Sequence, residues 1–442
     1  MPPENIPSTV MHKQNKRIYA NDENGYKFEL SSLNRIFVIK KKMIPRETYL
    51  NKLRQLKDQN LIKVITGIRR CGKSTLLEAF KNELLLSGVS PENIVYLNFE
   101  ERENLHLTSW TTLYDEIKKT VKASQKQYIF LDEVQLVNGF ENLINSLYTK
   151  KNIDLYITGS NAYLLSSELA TLLTGRYISI NVQPYSFKEY ALAYKEEKNT
   201  DRLFRKYINS SCLPEAVTLA QNDENLVNDY LQSIYDTVII KDIAQRYKLR
   251  NIHNLHRVIR FLFDSIGSYV SPTNIAAELS KNSKKKLSHN TIIKYLDFLT
   301  QSYILYAAPR FDIKGKELLT TNEKYYVVDL GLKNITATNK YDADLGHKLE
   351  NLVYFELLRR GGNVYVGKHN DKEIDFVVQK PNNEREYYQV AFSVNDEKTL
   401  SREISAFRDI KDNYPKYLLT LDFDTTSIEG IQKMNVIDWL LQ

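Results

Sequence analysis

Residues 61–74 read Leu61-Ile62-Lys63-Val64-Ile65-Thr66-Gly67-Ile68-Arg69-Arg70-Cys71-Gly72-Lys73-Ser74. The stretch up to Thr66 has strand composition, and from Gly67 onward it is a complete G-x-x-x-x-G-K-S phosphate loop. Glycines at 67 and 72 let the backbone wrap an anion with its N–H groups inward, and a helix opening at Lys73 adds the positive end of its dipole. In such a loop Lys73 sits on the β- and γ-phosphates and Ser74 on a magnesium ion; Arg70, Cys71 and Thr75 complete the candidate nucleotide-binding set. The residues from Ser74 to Leu86 carry apolar side chains at helical spacing and run out near Gly88, so strand, loop and helix stand in the required order.

A phosphate loop needs acids at a neighbouring strand end. Gln127-Tyr128-Ile129-Phe130-Leu131-Asp132-Glu133 supplies them, an apolar run of the kind expected of a buried parallel strand, closed by two carboxylates. Asp132 is the partner for the Ser74-bound magnesium, and Glu133 is free to orient and polarise an attacking water. Ile153-Asp154-Leu155-Tyr156-Ile157-Thr158-Gly159-Ser160-Asn161 reads as a third strand with small polar residues at its end. There Ser160 either touches the γ-phosphate or its water, or serves with Asn161 as turn or cap for a helix from Ala162 to Leu173. Beyond it, Arg176 is either a surface residue or a charge stabiliser given to a neighbouring subunit.

The chain has 442 residues, a length that suggests between about two and four domains. Hydrophobic content of 42% and charged content of 26% are those of an ordinary globular protein. Two cysteines, one inside the phosphate loop, exclude a disulfide framework and favour a reducing interior. No apolar run approaches membrane-spanning length, and Met1-Pro2-Pro3-Glu4-Asn5 does not open a signal peptide; the expected location is cytoplasmic. A formal net charge of +7 permits nucleic-acid contact without requiring it.

Residues 1–42 are polar, end in the basic run Ile39-Lys40-Lys41-Lys42, and carry one strand-like alternation at Tyr26–Leu30. Strands are expected at 61–66, 93–99, 128–132, 153–158 and 177–182, separated by helical stretches, the pattern of a parallel sheet covered on both faces. From Phe187 to Lys248 the chain is helical, broken at Cys212-Leu213-Pro214. Helices are then expected at 253–266, 273–279 and 289–302, followed by strands at 304–308 and 325–329 around a loop with Arg310, Lys314 and Lys316. Three helices and a basic hairpin describe a winged helix, a module that either enters a DNA groove or serves only as a clamp or subunit contact.

Together Gly67–Thr75, Leu131-Asp132-Glu133-Val134-Gln135, Thr158-Gly159-Ser160-Asn161, Leu173-Thr174-Gly175-Arg176 and Pro184-Tyr185-Ser186-Phe187 resemble a large group of bacterial and archaeal AAA-type ATPases. Their C-terminal part is known only as a domain of unknown function. The resemblance runs from about Lys42 to the end. It implies an AAA-like core using ATP and Mg2+, a winged helix, and a terminal domain related to PD-(D/E)XK nucleases. Against that pattern Glu350 and Asp375 stand at the metal-binding positions, Gln389 replaces the second strand acid, and Ala391 replaces the lysine. Losing an acid and the cation removes what a magnesium nuclease needs, so cleavage is not expected, with Glu373 and Lys372 the nearby partial substitutes.

Expected, then, is an α/β chain: an N-terminal extension (1–42), an AAA-like P-loop core with a parallel sheet (43–186), a helical segment (187–250), a winged helix (251–338) and a degenerate restriction-endonuclease-like domain (339–442). Its expected work is Mg-dependent ATP hydrolysis that rearranges the later domains on a nucleic-acid or protein partner. A nucleotide-gated DNA-binding regulator, using the basic turn Lys284-Lys285-Lys286, and an ATP-dependent metal nuclease stay open as alternatives. So does a homo-oligomer in which Arg176 completes a neighbouring site.

Overall fold

The computed structural model describes residues 13–14, 17–21, 27–30, 44–122, 124–162, 175–249, 251–281, 287–336 and 345–442. The N-terminal unit, Met1–Pro45, holds a small antiparallel sheet of β1 (Lys13–Gln14), β2 (Arg17–Asn21) and β3 (Lys27–Leu30), the last matching the alternation read there. The run Ile39–Lys42 lies outside the described residues. Everything from Arg46 to Gln442 forms the second unit.

The sheet expected around the phosphate loop is present in full. Its strands are β4 (Ile62–Thr66), β5 (Ile94–Asn98), β6 (Gln127–Asp132), β7 (Ile153–Gly159) and β8 (Tyr177–Asn181), all parallel, in the order β5-β6-β7-β4-β8. Strands β4, β6 and β7 are buried along their whole length, which is why they read as continuous apolar runs. On one face Phe130 stacks on Tyr156 and both meet Phe80 of the helix Lys73–Leu86. On the other, Leu113, Ile117, Leu143 and Leu147 close over Ile129, Leu131, Leu155 and Ile157. Lys63 is the one cation on the five strands of this sheet, and it is fully buried. Asp154, on the neighbouring strand, neutralises it and also accepts the Asp58 N–H at 2.8 Å and the Tyr156 hydroxyl at 2.9 Å.

The pairing register brings the strand ends level. Ile65 faces Thr158, Thr66 faces Gly159, and Leu131 faces Ile157, so the loop after β4, the small residues after β7 and the acids after β6 share one sheet edge. Strand β7 lies between the loop strand and the acid strand.

The helical segment comprises Phe187–Ala193, Thr200–Asn209, Pro214–Asn222 and Asn225–Thr237, the last continuing as a π-helical stretch, Val238–Gln245. Its break at 211–213 is tied down from a distance. Asp329 accepts the Ser211 hydroxyl at 3.1 Å, the Cys212 N–H at 2.7 Å and the Leu332 N–H at 3.0 Å. Full burial still pushes its carboxyl up to about 6, against the pull of those hydrogen bonds. A carboxyl that holds its proton more tightly folded than unfolded adds stability that is complete below the ordinary carboxylate range and lost as pH rises through about 6. The margin by which wild type outmelts Asp329→Asn should therefore widen on going from about pH 7 to about pH 4.5, by at most about 3 kcal/mol. Parallel melting curves across that range would rule out the assignment.

The helices Ile252–Asp264, Pro272–Ser280 and His289–Gln301 fall where expected, the latter two opened by side-chain caps from Ser271 and Ser288. The turn Lys284-Lys285-Lys286 and the helix Ala162–Leu173 lie largely outside the described residues. The hairpin differs from expectation. Its strands β10 (Leu305–Asp312) and β11 (Glu317–Val327) are longer, so Arg310 sits on a strand rather than in a loop, while Lys314 and Lys316 stay in the turn. Nor is the hairpin free-standing. A short β9 (Tyr269–Val270) pairs with β11, and β10 pairs in parallel with β12 (Asn363–His369), which satisfies an otherwise open strand edge. One nine-stranded sheet therefore unites strands from the segments expected as winged helix and as terminal domain. It continues through β13 (Lys372–Gln379), β14 (Arg385–Val390), β15 (Lys416–Thr420), β16 (Ser427–Ile428) and β17 (Ile431–Asn435), with the helices Leu345–Arg360 and Glu397–Arg408 packed on it. Among the described residues no helix is long and apolar enough to cross a membrane.

Candidate ATPase site

The phosphate loop leaves β4 at Gly67, whose φ of 142° and whose surroundings admit no side chain: a Cβ there would lie 2.1 Å from the Val182 carbonyl oxygen. Gly72, at φ 97°, caps the helix that opens at Lys73. Arg70 also adopts a left-handed conformation and is exposed, as is Thr75; Cys71 is buried beneath the loop, and burial raises its thiol pKa. The Lys73 ammonium is buried and donates to the Gly67 and Ile68 carbonyls at 3.1 Å each, with Glu133 Oε1 at 3.8 Å.

Asp132 is fully buried. Burial raises its pKa, while hydrogen bonds from the Thr158 and Ser74 hydroxyls oppose that rise and the Glu133 charge adds to it. Tyr96 adds a hydroxyl at 3.3 Å. Ser74 and Asp132, expected as a pair, are thus in contact. Glu133 sits in a left-handed conformation, φ 56°, with its N–H on Thr158 Oγ1 at 2.8 Å, a strained backbone held by a neighbour in the way functional residues often are. Burial would raise its carboxyl too, but Lys73, the Gln135 amide, Arg69 and the Ser160 hydroxyl outweigh it and hold the group below its ordinary value.

Sequence reasoning brought Gly67, Arg70, Cys71, Gly72, Lys73, Ser74, Thr75, Asp132, Glu133 and Ser160 to one sheet edge, and the fold does the same. Arg176 does not join them. It precedes β8, where its carbonyl accepts the Ile62 N–H at 2.8 Å, and so lies at the sheet edge opposite the loop. Its side chain bonds Asn145 Oδ1 at 3.0 Å and covers Tyr148. Two participants escaped notice. Thr158 serves both acids, a role that follows from β7 lying next to β6 and has no signature beyond a hydroxyl at a strand end. Arg69 leaves the loop altogether, forking onto Asp242 of the π-helical stretch at 2.7 and 2.8 Å. On the other side of the loop, Pro214 Cγ lies 3.6 Å from where a Cβ on Gly72 would be.

Residues 59–191 match the family model described as an AAA domain, and residues 201–342 match a domain of unknown function. An uncharacterized protein of Haemophilus influenzae is 42% identical over 407 residues, covering 91% of this chain and 100% of that protein. The chain belongs to this family of AAA-type P-loop ATPases. An uncharacterized protein of Methanocaldococcus jannaschii is 29% identical over 394 residues, covering 86% of this chain and 85% of its own length. Among solved structures, a Walker-type ATPase of Pyrococcus abyssi superposes with a TM-score of 0.46 at 14% identity, over 66% of this chain and 96% of that one.

This ATPase carries a second polar cluster, at the residues compared with a nuclease centre. Glu350 Oε1 accepts the Lys324 ammonium at 2.9 Å and the Tyr326 hydroxyl at 2.6 Å, and Lys324 also reaches Glu373 at 2.6 Å. Asp375 is buried beside them and accepts the Val390 N–H at 2.8 Å; burial first, then the Glu350 charge, drives its carboxyl well above the usual range, with Lys324 opposing. Gln389 is spent on the Asp375 N–H and on Glu403. Of the two nearby substitutes only Glu373 joins. Lys372, one residue earlier on β13, points to the other face, where it holds the Ser405 carbonyl and Asp409. Lys324 on β11 went unremarked in the sequence, since nothing there links it to residues 350–375. Among the described residues no group of three or more His, Cys, Asp and Glu side chains is arranged to hold a metal ion.

Proposed function

We propose that the chain hydrolyses ATP with Mg2+ at the β4–β6–β7 edge and transmits the nucleotide's state to its helical and C-terminal parts, acting on a nucleic-acid or protein partner. The observation carrying this is the convergence of Lys73, the Ser74–Asp132 contact and the Glu133 carboxylate on one glycine-built loop. A cradle too tight for a Cβ and a hydroxyl paired with a carboxylate fit a triphosphate and its hard cation. Ser74 and Asp132 would hold the magnesium, which when bound would neutralise phosphate charge. Lys73 and the loop amides bind the phosphates. Glu133, kept ionised by its neighbours, orients water and takes on its proton. One contact supports the coupling: the Arg69–Asp242 fork joins the loop directly to the helical segment, and Pro214 of that segment approaches the loop near Gly72. Arg176 could act only on a second copy of the chain, because its own site is at the opposite sheet edge.

Lys73→Ala should abolish measurable ATP binding in calorimetry, since the change removes the phosphate-facing charge and leaves the Gly67 and Ile68 carbonyls it satisfied exposed to the cradle. Wild-type affinity in that variant would refute the site.

At residues 324–375 we read the nuclease-like domain as non-cleaving, because an ammonium already neutralises the acids there. Magnesium- or manganese-dependent nicking of supercoiled DNA, lost in Asp375→Ala, would overturn this. The winged-helix reading of residues 251–338 leaves DNA as one candidate partner. Its mark would be an affinity that falls steeply with salt.

A further inference from the structure

Arg46 stands ahead of the helix Glu47–Leu56, outside every motif quoted above, and is only 6% exposed. Each of its three guanidinium nitrogens donates a hydrogen bond. Nε donates to Glu189 Oε1 at 2.8 Å, Nη1 to the Cys71 carbonyl at 3.0 Å, and Nη2 to the Gln183 carbonyl at 2.6 Å. The group also lies over the rings of Tyr49 and Tyr185, at 4.9 and 5.1 Å from their centroids. Two of these partners are themselves fixed: Glu189 closes a capping box with Ser186, and the Gln183 N–H bonds the Tyr49 hydroxyl at 3.1 Å.

We infer that Arg46 is a positioning residue of the phosphate loop: by holding the Cys71 carbonyl on the outside of the loop it turns the Gly72 N–H inward, toward the nucleotide's phosphates. The step follows from peptide geometry. The Cys71–Gly72 bond is trans, so its C=O and N–H point in opposite directions, and anchoring one aims the other. Gly72 is the residue most in need of such an anchor, because at φ 97° it has wide freedom of its own. Arg46 Nη1 lies 3.7 Å from where a Cβ on Gly72 would be, on the outer side of the turn. A charged donor on the carbonyl also polarises the peptide and strengthens its N–H as a donor to an anion. Lysine cannot do this work, since a single ammonium cannot span Glu189, Cys71 and Gln183 in one plane.

The inference rests on the proposed ATP site and is tested by titrating the full chain with ATP, ADP and AMP and by steady-state hydrolysis. Arg46→Lys should weaken ATP and ADP roughly tenfold, as expected for a lost charge-assisted bond, leave AMP unchanged because it has no β-phosphate, and raise KM while kcat stays near wild type. A folded Arg46→Lys protein that binds ADP like wild type overturns the inference, as does one in which AMP and ADP weaken equally, the mark of general loosening. If that variant does not melt cooperatively, Glu189→Gln decides: its one oxygen can still accept the Ser186 N–H of the capping box, but the amide group left facing Arg46 neither carries the charge nor accepts from Nε. There a few-fold loss for ADP alone supports the inference and wild-type ADP affinity overturns it. A wild-type chain that gives no heat with ADP removes the nucleotide site and this role together, whereas a wild type that binds beside an indifferent Arg46→Lys removes the role alone.

Discussion

Glu133→Gln should bind ATP at least as tightly as wild type and turn it over about 100- to 1,000-fold more slowly, the range expected when a positioned base is lost. Glutamine keeps the shape and still offers an oxygen to the Ser160 hydroxyl, and the backbone bond from residue 133 to Thr158 does not depend on the side chain. What disappears is the negative charge, which Lys73 at 3.8 Å partly neutralises and Arg69 stabilises. Removing a carboxylate from beside a triphosphate relieves repulsion, so affinity holds or rises. A role confined to fixing Lys73 predicts the opposite split, with weaker binding and an unchanged kcat. Single-turnover hydrolysis with pre-bound ATP separates the two, and full turnover in the variant would refute the assignment of Glu133.

Why the ATPase edge could be read before the fold was known, and much else could not, comes down to where the determining contacts lie in the chain. Strands β4, β6 and β7 are buried on both faces, so they spell themselves out as apolar runs, and the residues that end them are necessarily at the sheet's edge. Loop glycines are legible because no other residue fits, as the 2.1 Å approach of Val182 at Gly67 makes plain. Thr158, Arg46, Arg69 and Lys324 act through partners remote in sequence: Lys324 meets Glu350 and Glu373, and Arg69 meets Asp242 across 173 positions. Periodicity carries no trace of such pairings. The same holds for the hairpin, whose composition announces two strands but not that β12 would cover its edge. Strands β15 and β17 are short and mixed in character, Lys416–Thr420 and Ile431–Asn435, and gain their identity only from the parallel neighbours beside them.

Lys324→Met should cost about 3–5 kcal/mol of stability, the penalty for leaving buried charge without its counter-ion. The ammonium is almost completely enclosed and pairs with two carboxylates, and burial works against it while Glu350, Asp375 and Glu373 outweigh burial and keep it ionised. Without it, Asp375, buried beside the Glu350 charge, is driven further toward its protonated form. Proton uptake on folding makes stability fall as pH rises, so the deficit of Lys324→Met relative to wild type should be smaller near about pH 5 than near about pH 8. The cluster should also be non-additive. Lys324→Met combined with Glu350→Met removes a cation and its closest anion together, and the pair should cost less than the sum of the single changes by roughly 1–3 kcal/mol. Strict additivity, or a deficit independent of pH, would mean that Lys324 is not the counter-ion of this site. In that event the reading of residues 350–375 as a charge-locked, non-cleaving centre would lose its physical basis, and a divalent ion would regain its claim to those carboxylates.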